Sequence, residues 1–385
     1  MKQQFGTTQS QKLLKLLEEH GHEAVYVGGA VRDFLLGKTA DDYDIATSAT
    51  PNEVKEIFPN TVDIGIEHGT ILVLLEGAQF EVTTFRGPNA ELGLNTLEED
   101  LRHRDFTMNA LAMTKDGELV DFVNGAADLK MGVLRAVDEP IDRVTEDPLR
   151  IIRAIRFSAA LNLEIEPKTL KAMVLKAPTL ENVAVERVKK EFDKLFVTEF
   201  LLEAFPYAEA IKLVDIFPFP RSNPSLLTAC LPFKTVYEGW AYIMLAGKYG
   251  AHEIAKVYKL SNDEKQYLTQ VEGAVNIRLK SDFTIDALYH YTSSSLFMAE
   301  KFLAAMQKQI NYRTQEDFEA LRQQLPIHSK KDLVVDGQLL MKWVNEPQGR
   351  WIGEWMSKIE YAVLHRQCEN DETAIREWFI HDFKK

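Results

Sequence analysis

The spacing of apolar residues changes near Thr145, and that change decides what this 385-residue chain can fold into. Before it, short apolar runs are separated by turn residues. Ala24–Val27, Asp42–Ala46, Thr70–Leu75 and Phe80–Phe85 read as strands, the last alternating with the period of two that a half-buried sheet requires. Helical spacing appears at Gln9–His20 and Val31–Leu36, where Gly37 can end the helix. After Thr145, Leu149–Leu161, Thr169–Leu175 and Val185–Phe196 repeat apolar residues at helical intervals. Helical stretches continue to Lys385, broken by Pro218, Pro220, Pro224, Pro232 and Pro326. The chain is too long for one hydrophobic core, so the spacing predicts an α+β arrangement: an α/β head, then an all-helical body.

Composition narrows the classes. Cys230 and Cys368 are the two cysteines and form no CxxC pair, which argues against a zinc site or a disulfide framework and fits a reducing compartment. Met1–Lys12 is polar, without the apolar core of a signal peptide, and no apolar run approaches the roughly 18 residues of a membrane span. A cytoplasmic protein is expected. The net charge of −13 disfavours a uniformly basic nucleic-acid-binding exterior, although a local basic stripe is compatible with it.

Three segments carry chemistry. In Val27-Gly28-Gly29-Ala30-Val31-Arg32-Asp33 a strand gives way to glycines and then a helix. Glycines permit close backbone approach, a new helix offers free N–H groups to phosphate, and Arg32 adds a charge-assisted contact. A plain tight turn accounts for the glycines equally well. In Asp42-Tyr43-Asp44-Ile45, read as a strand, both carboxylates fall on one face. Paired carboxylates repel and are poor strand formers unless a divalent cation joins them, and Mg²⁺ is the usual choice where phosphates complete its shell. Two such ions can activate an attacking hydroxyl and stabilise departing pyrophosphate. A solvated acidic turn, extended by Asp41, is the plainer alternative. In Glu146-Asp147-Pro148-Leu149-Arg150, Asp147 reads as a helix N-cap with proline at the first helical position. Arg150, Arg153 and Arg156 then follow one side of the helix while Ile151, Ile152 and Ile155 supply the other; an ordinary amphipathic helix has the same letters.

The run from Gly28-Gly29-Ala30-Val31-Arg32-Asp33 through Leu35-Leu36-Gly37 to Asp42-Tyr43-Asp44-Ile45-Ala46-Thr47 resembles the signature of the class II tRNA nucleotidyltransferase and bacterial poly(A) polymerase family. That resemblance implies that Asp42 and Asp44 bind the catalytic metal ions, and that Gly29 with Arg32 holds a triphosphate. Glu81 is the candidate for a third metal-site carboxylate. Arg102-His103-Arg104-Asp105-Phe106-Thr107-Met108-Asn109-Ala110 resembles the family motif that contacts ribose and phosphates. Arg104, Asp105 and Asn109 match it, whereas His103 replaces an arginine. By the same resemblance Asp147 and Arg150 hydrogen-bond the Watson–Crick edge of the incoming base in place of a nucleic-acid template, and Arg153 and Arg156 also serve the nucleotide. Val185-Glu186-Arg187-Val188 is similar to a family helix motif of structural role. Leu325–Ser329 and Asp332–Gly337 resemble the tail that grips tRNA, where Trp343, Trp351 and Trp355 read better as core than as RNA-stacking residues.

The implied organisation is a polymerase-β-like nucleotidyltransferase head at 1–138, a neck at 139–200, a helical body at 201–315 and a tail at 316–385. Full CCA-adding members have a longer, charged and aromatic loop where this chain has only Arg86–Thr96. In the family that loop reorients the base-reading side chains for the final adenosine, and two recognition geometries need a moving element. The expected activity is therefore addition of two cytidines from CTP to a tRNA 3′ end, with a separate A-adding enzyme acting on the product. The alternative is a complete CCA-adding enzyme using CTP and ATP. A poly(A) polymerase fits less well, since a more basic tail is expected of it. A non-catalytic RNA-binding module would not need both carboxylates and the Asp147/Arg150 pair, and a small-molecule nucleotidyltransferase would not need the helical body.

Overall fold

Alternation along the first strand sorts its side chains to two faces of one sheet. The computed structural model describes residues 5–40, 42–65, 69–87, 89, 93–307 and 311–383, and divides into two units, Met1–Phe217 and Pro218–Lys385. In the first, strands β1 (Ala24–Val27), β2 (Asp44–Thr47), β3 (Thr61–Gly65), β4 (Thr70–Leu75), β5 (Ala78–Thr84), β6 (Ala112–Met113) and β7 (Leu119–Val120) form a sheet of order β3-β4-β5-β2-β1-β6-β7. Ala24, Tyr26 and Ile45 pack on one face with Leu13, Leu14 and Leu17 of helix α1 (Thr8–Glu19) and Val54 of α3 (Pro51–Ile57). Val25, Val27 and Ala46 face the other way, against Phe85 and against Leu97 and Leu101 of α4 (Leu97–Arg102). Both faces being covered explains why the strands read as short apolar runs.

Register positions the site. Val27, the last residue of β1, pairs with Asp44, the first of β2. The glycine turn into α2 (Gly29–Leu35) therefore meets the carboxylate segment at one end of the sheet. Gly37, at φ +71, ends α2: its N–H donates to Phe34 O and the Lys38 N–H to Asp33 O, at 2.9 and 2.8 Å. β2 runs parallel to β5, Ile45 opposite Val82, which brings Glu81 to the same end.

Helix α5 (Gly125–Met131) follows the sheet, and then come α6 (Pro140–Glu146), α7 (Arg150–Leu161), α8 (Pro167–Lys176) and α9 (Val185–Phe196). Val133–Leu134 and Glu164–Ile165 form a separate parallel pair. Ile151, Ile152 and Ile155 of α7 are buried, as their spacing predicts. The described part of the second unit is helical and coil, without strands. Trp240 and Tyr258 are buried there with ring centroids 4.5 Å apart, and Trp343, Trp351 and Trp355 are half-buried around Phe379 and Phe383. These tryptophans thus serve packing. Among the described residues, no helix is long and apolar enough to cross a membrane.

Three local expectations are corrected. β2 begins at Asp44, so Asp42 precedes the strand and the period-two argument does not apply to it; Asp41 lies outside the described residues. α2 starts at Gly29 rather than Val31, because Gly28 takes the non-helical position before it, φ +70 and ψ −129. Asp147 does not cap α7. It follows α6, Leu149 is the residue before the first turn of α7, and Asp147 Oδ1 instead accepts the Leu149 N–H at 3.2 Å. Proline at 148 disfavours helical backbone at 147 and breaks the two helices apart there.

Gly125 lies against the short 3-10 turn Thr107–Asn109, where an added Cβ would come within 2.0 Å of the Thr107 carbonyl oxygen. We expect Gly125→Ala to destabilise the protein by about 1–3 kcal/mol through overpacking. A urea midpoint unchanged from wild type would contradict this packing.

Candidate active site

The three chemical segments converge. A cavity of about 620 Å³ is lined by Gly28, Gly29, Arg32, Asp42, Asp44, Arg86, Arg104, Asp105, Asn109, Asp147, Arg150, Arg153, Arg156, Phe157 and Lys194. Apart from Glu81, every metal-binding or nucleotide-binding residue expected from the sequence is on this wall. The volume suits a small-molecule ligand. Seven cations face four carboxylates in it, inverting locally the charge of the chain.

Glycine at 28 keeps the end of the sheet open. An added Cβ would stand 3.3 Å from Arg104 Nη1 and 3.8 Å from Asp44 Oδ2. The surrounding protein desolvates Asp44 and pushes its carboxyl above the usual carboxylate range. Arg104 opposes that shift, Asp42 reinforces it and Arg86 opposes it again. Two hard oxygen donors that raise one another's energy suit a divalent cation, which would relieve the repulsion. Glu81 is also held above its usual range, first by desolvation and then by the charges of Asp44 and Asp42. It does not complete a metal site here: among the described residues no three carboxylate, histidine or cysteine side chains are arranged to hold an ion.

The arginines are held by buried acids. Asp100 is fully buried on α4; its Oδ2 accepts from Arg104 Nε at 3.0 Å and Nη2 at 2.8 Å, and its Oδ1 accepts the Arg86 N–H at 3.0 Å. Arg32 Nη1 donates to Asn109 Oδ1 at 2.9 Å, and Asn109 Nδ2 donates to Asp105 Oδ1 at 3.0 Å. Asp105 Oδ2 accepts from Arg153 Nε and Nη2 at 2.9 and 2.7 Å. Arg153 Nη1 reaches Glu191 Oε1 at 3.3 Å, and Glu191 Oε2 accepts from Arg156 Nε at 2.5 Å. A continuous relay thus runs from Arg32 to Arg156. The Phe157 ring supports the same guanidinium groups, lying 3.8 Å from that of Arg156 and 5.4 Å from those of Arg32 and Arg153. Such contacts fix cation position while leaving charge for a ligand.

Asp147 and Arg150 are also oriented. Arg150 Nη1 donates to Arg143 O at 2.9 Å and Glu146 Oε2 at 3.0 Å, and its Nη2 to His103 O at 3.2 Å. Position 103 therefore contributes its backbone carbonyl, while its ring Nδ1 lies 2.7 Å from Glu99 O at the end of α4. Arg187 of α9 holds Asp147 through Nη1 to Oδ1 at 3.3 Å and Nη2 to Oδ2 at 2.8 Å.

Sequence reasoning missed Arg86, Phe157 and Lys194 in the wall and Asp100 and Glu191 behind it, and placed Arg187 only in a helix motif of structural role. Some signal was present. Asp100 precedes Arg104 by four, and Arg187, Glu191 and Lys194 follow one face of α9 at i, i+4, i+7. The acceptor of Arg187 and the donors to Glu191 lie in other segments, so helical spacing alone could not name those partners.

Comparison with known proteins agrees with this geometry. Residues 24–135 match the poly A polymerase head domain, 162–220 the probable RNA and SrmB-binding site of polymerase A, and 231–379 the putative domain 2 of tRNA nucleotidyltransferases. The chain is 35% identical to the CCA-adding enzyme of Bacillus cytotoxicus, covering 95% of this chain and 96% of that one. It is 36% identical to that of Anoxybacillus flavithermus, covering 100% and 99%. The crystal structure of the Bacillus stearothermophilus CCA-adding enzyme in complex with CTP superposes with a TM-score of 0.86 at 32% identity, covering 98% and 97% of the two chains. The fold is thus that of a polymerase-type nucleotidyltransferase with a helical C-terminal part. The chain belongs to the class II tRNA nucleotidyltransferase family.

The Asp105–Arg153 pair has a pH signature. Burial opposes ionisation of Asp105, but the Arg153 charge, the Asn109 amide and the Phe106 N–H outweigh it and hold the carboxyl below its ordinary range. A depressed folded-state pKa gives stability that is present above the unfolded value, about 3.9, and is lost as pH falls through the folded value. We expect Asp105→Asn to cost on the order of 3 kcal/mol near neutrality. Urea unfolding should show that deficit shrinking as the pH is taken below about 4; a deficit independent of pH would argue against the ion pair.

Proposed function

We propose that this enzyme adds two cytidines, without a nucleic-acid template, to the 3′ end of a tRNA, using CTP and releasing pyrophosphate. The observation that carries the reading is the cavity itself, which gathers a carboxylate pair, a cationic wall and an oriented Asp147/Arg150 pair. Asp42 and Asp44 would hold divalent cations, Mg²⁺ being the fitting choice, and such ions would supply activation of an attacking hydroxyl and neutralisation of charge at a leaving pyrophosphate. Gly29, Arg32 and Arg104 bind the triphosphate. Asp105, through its tie to Asn109, orients the ribose side of the site, and Arg153 and Arg156 add positive charge. Asp147 and Arg150 offer an acceptor and donors to the base edge, so uracil and guanine leave buried polar groups unpaired. The head at 1–138, neck at 139–200, body at 201–315 and tail at 316–385 divide these tasks, with the tail gripping tRNA. The cytoplasm, where tRNA is matured, is the fitting compartment.

Stopping at CC is supported by the connection between β5 and α4. Of its residues, Pro88, Ala90, Glu91 and Leu92 lie outside the described ones. Among the described ones Asn95 is an anchor: it is buried, its Nδ2 donates to Phe85 O at 3.0 Å, and its Oδ1 accepts the Asn89 N–H at 3.1 Å. The connection is short in sequence and its described residues are tied down at Asn95, which favours a base-reading pair held in one orientation. The alignment with the Anoxybacillus relative runs over 402 positions against 385 residues here, consistent with segments missing from this chain. A separate A-adding enzyme would then complete the product. The second reading, full CCA addition with CTP and ATP, is favoured by the names of the relatives.

Incubation with a tRNA lacking CCA, CTP, ATP and Mg²⁺ tests both. We expect a product ending in CC; one ending in CCA would establish the second reading. Asp44→Ala should lower CTP incorporation by about a thousandfold or more, as loss of metal-borne charge stabilisation worth several kcal/mol requires. A variant that retains incorporation would remove Asp44 from the chemistry.

A further inference from the structure

Helix α9 carries a residue that grips a carboxylate of the cavity wall without itself lining the cavity. Arg187 lies in the first turn of α9, and its guanidinium grips both carboxylate oxygens of Asp147, at 3.3 Å from Oδ1 and 2.8 Å from Oδ2. Asp147 Oδ1 also accepts the Leu149 N–H at 3.2 Å. A carboxylate has about four lone-pair positions. Three are taken by these donors, and the remaining one is on Oδ2. Two-point contact from a planar guanidinium fixes the plane of the carboxylate as well as its place.

The chemistry of the pyrimidines makes that fixation consequential. Cytosine presents an exocyclic amine donor at position 4 and an acceptor at N3. Uracil presents a carbonyl at position 4 and moves its donor to N3. A carboxylate held opposite position 4 meets a donor from cytosine and a repelling carbonyl from uracil. A carboxylate free to swing can follow the uracil N3–H instead. From this geometry we infer that Arg187 is a positioning residue for nucleotide specificity, clamping Asp147 so that its one open acceptor meets the cytosine amine and not the uracil N3–H. The inference rests on the proposed reading of Asp147 as a base contact. It gives α9 a part in selecting CTP, beyond bracing the helices around the site.

The clamp differs from the other ion pairs of the site. Side-chain exposure is 52% for Arg187 and 29% for Asp147, so the pair adds little to folding stability and its loss need not unfold the protein. Arg187→Ala removes charge and clamp together. Arg187→Lys keeps the charge as a single rotatable donor and removes the two-point contact.

The test compares wild type, R187A and R187K in single-turnover extension of a tRNA transcript lacking CCA, with CTP and UTP supplied separately and thermal melting run alongside. For R187A the preference for CTP over UTP should fall by about tenfold or more, since mispairing with a fixed hydrogen-bonding site is what enforces such selection. R187K should fall between R187A and wild type. Equal loss of CTP and UTP incorporation with the ratio unchanged would overturn the inference and leave Arg187 a structural residue. An inactive R187A accompanied by an R187K of wild-type preference would overturn it as well. Failure of the wild-type enzyme to incorporate CTP would instead sink the proposed function, which separates the two outcomes.

Discussion

The buried Asp105 carboxylate is the constraint on which the site depends. A charge so far from solvent is tolerated only when it is paired and hydrogen-bonded. Here Arg153 of α7, the Asn109 amide and the Phe106 N–H meet that requirement. Satisfying one carboxylate therefore joins the segment after α4 to α7, and Glu191 extends the joint to α9. Two side chains that face the cavity inherit their places from this joint. Arg32 is reached through Asn109, and Arg156 through Glu191. Members of such a network do not act independently, so substitutions along it should be read in pairs.

The sheet contributes the other half of the arrangement. Antiparallel pairing of β1 with β2 brings Val27 to Asp44, and parallel pairing of β2 with β5 brings Phe85 and its successors close by, the Phe85 N–H donating to Thr47 O at 2.8 Å. Arg86 emerges there and its backbone N–H is captured by Asp100, the same acid that holds Arg104. The start of the shortened connection is thus fixed to a residue of the site at one end, and Asn95 fixes the other.

Much of this was legible in the sequence. The strands Ala24–Val27 and Thr70–Leu75 and the helix Val185–Phe196 were recognisable because their apolar spacing is set by burial that the structure repeats. The site residues were recognisable because their run of motifs resembles a family signature, whereas the glycine turn, the paired aspartates and the arginine stripe each have a plain structural reading when taken alone. What escaped was whatever depended on contacts between distant segments. Asp42 was assigned to a strand because alternation carries no marker of where pairing stops. Asp147 looked like a cap because Asp-Pro before a helix has that form, whereas its oxygens are directed to Leu149 and Arg187. Glu191 resembles any helix-surface glutamate until α7 is packed against it.

The charge inversion at the cavity also sets how far its pull on an anion reaches. Seven cations against four carboxylates leave the wall positive, in a chain whose net charge is −13. Salt screens that local field over the Debye length, roughly 8 Å at physiological ionic strength. The attraction therefore acts inside the concave wall and at its mouth, and a phosphate group is drawn in once it has come that near.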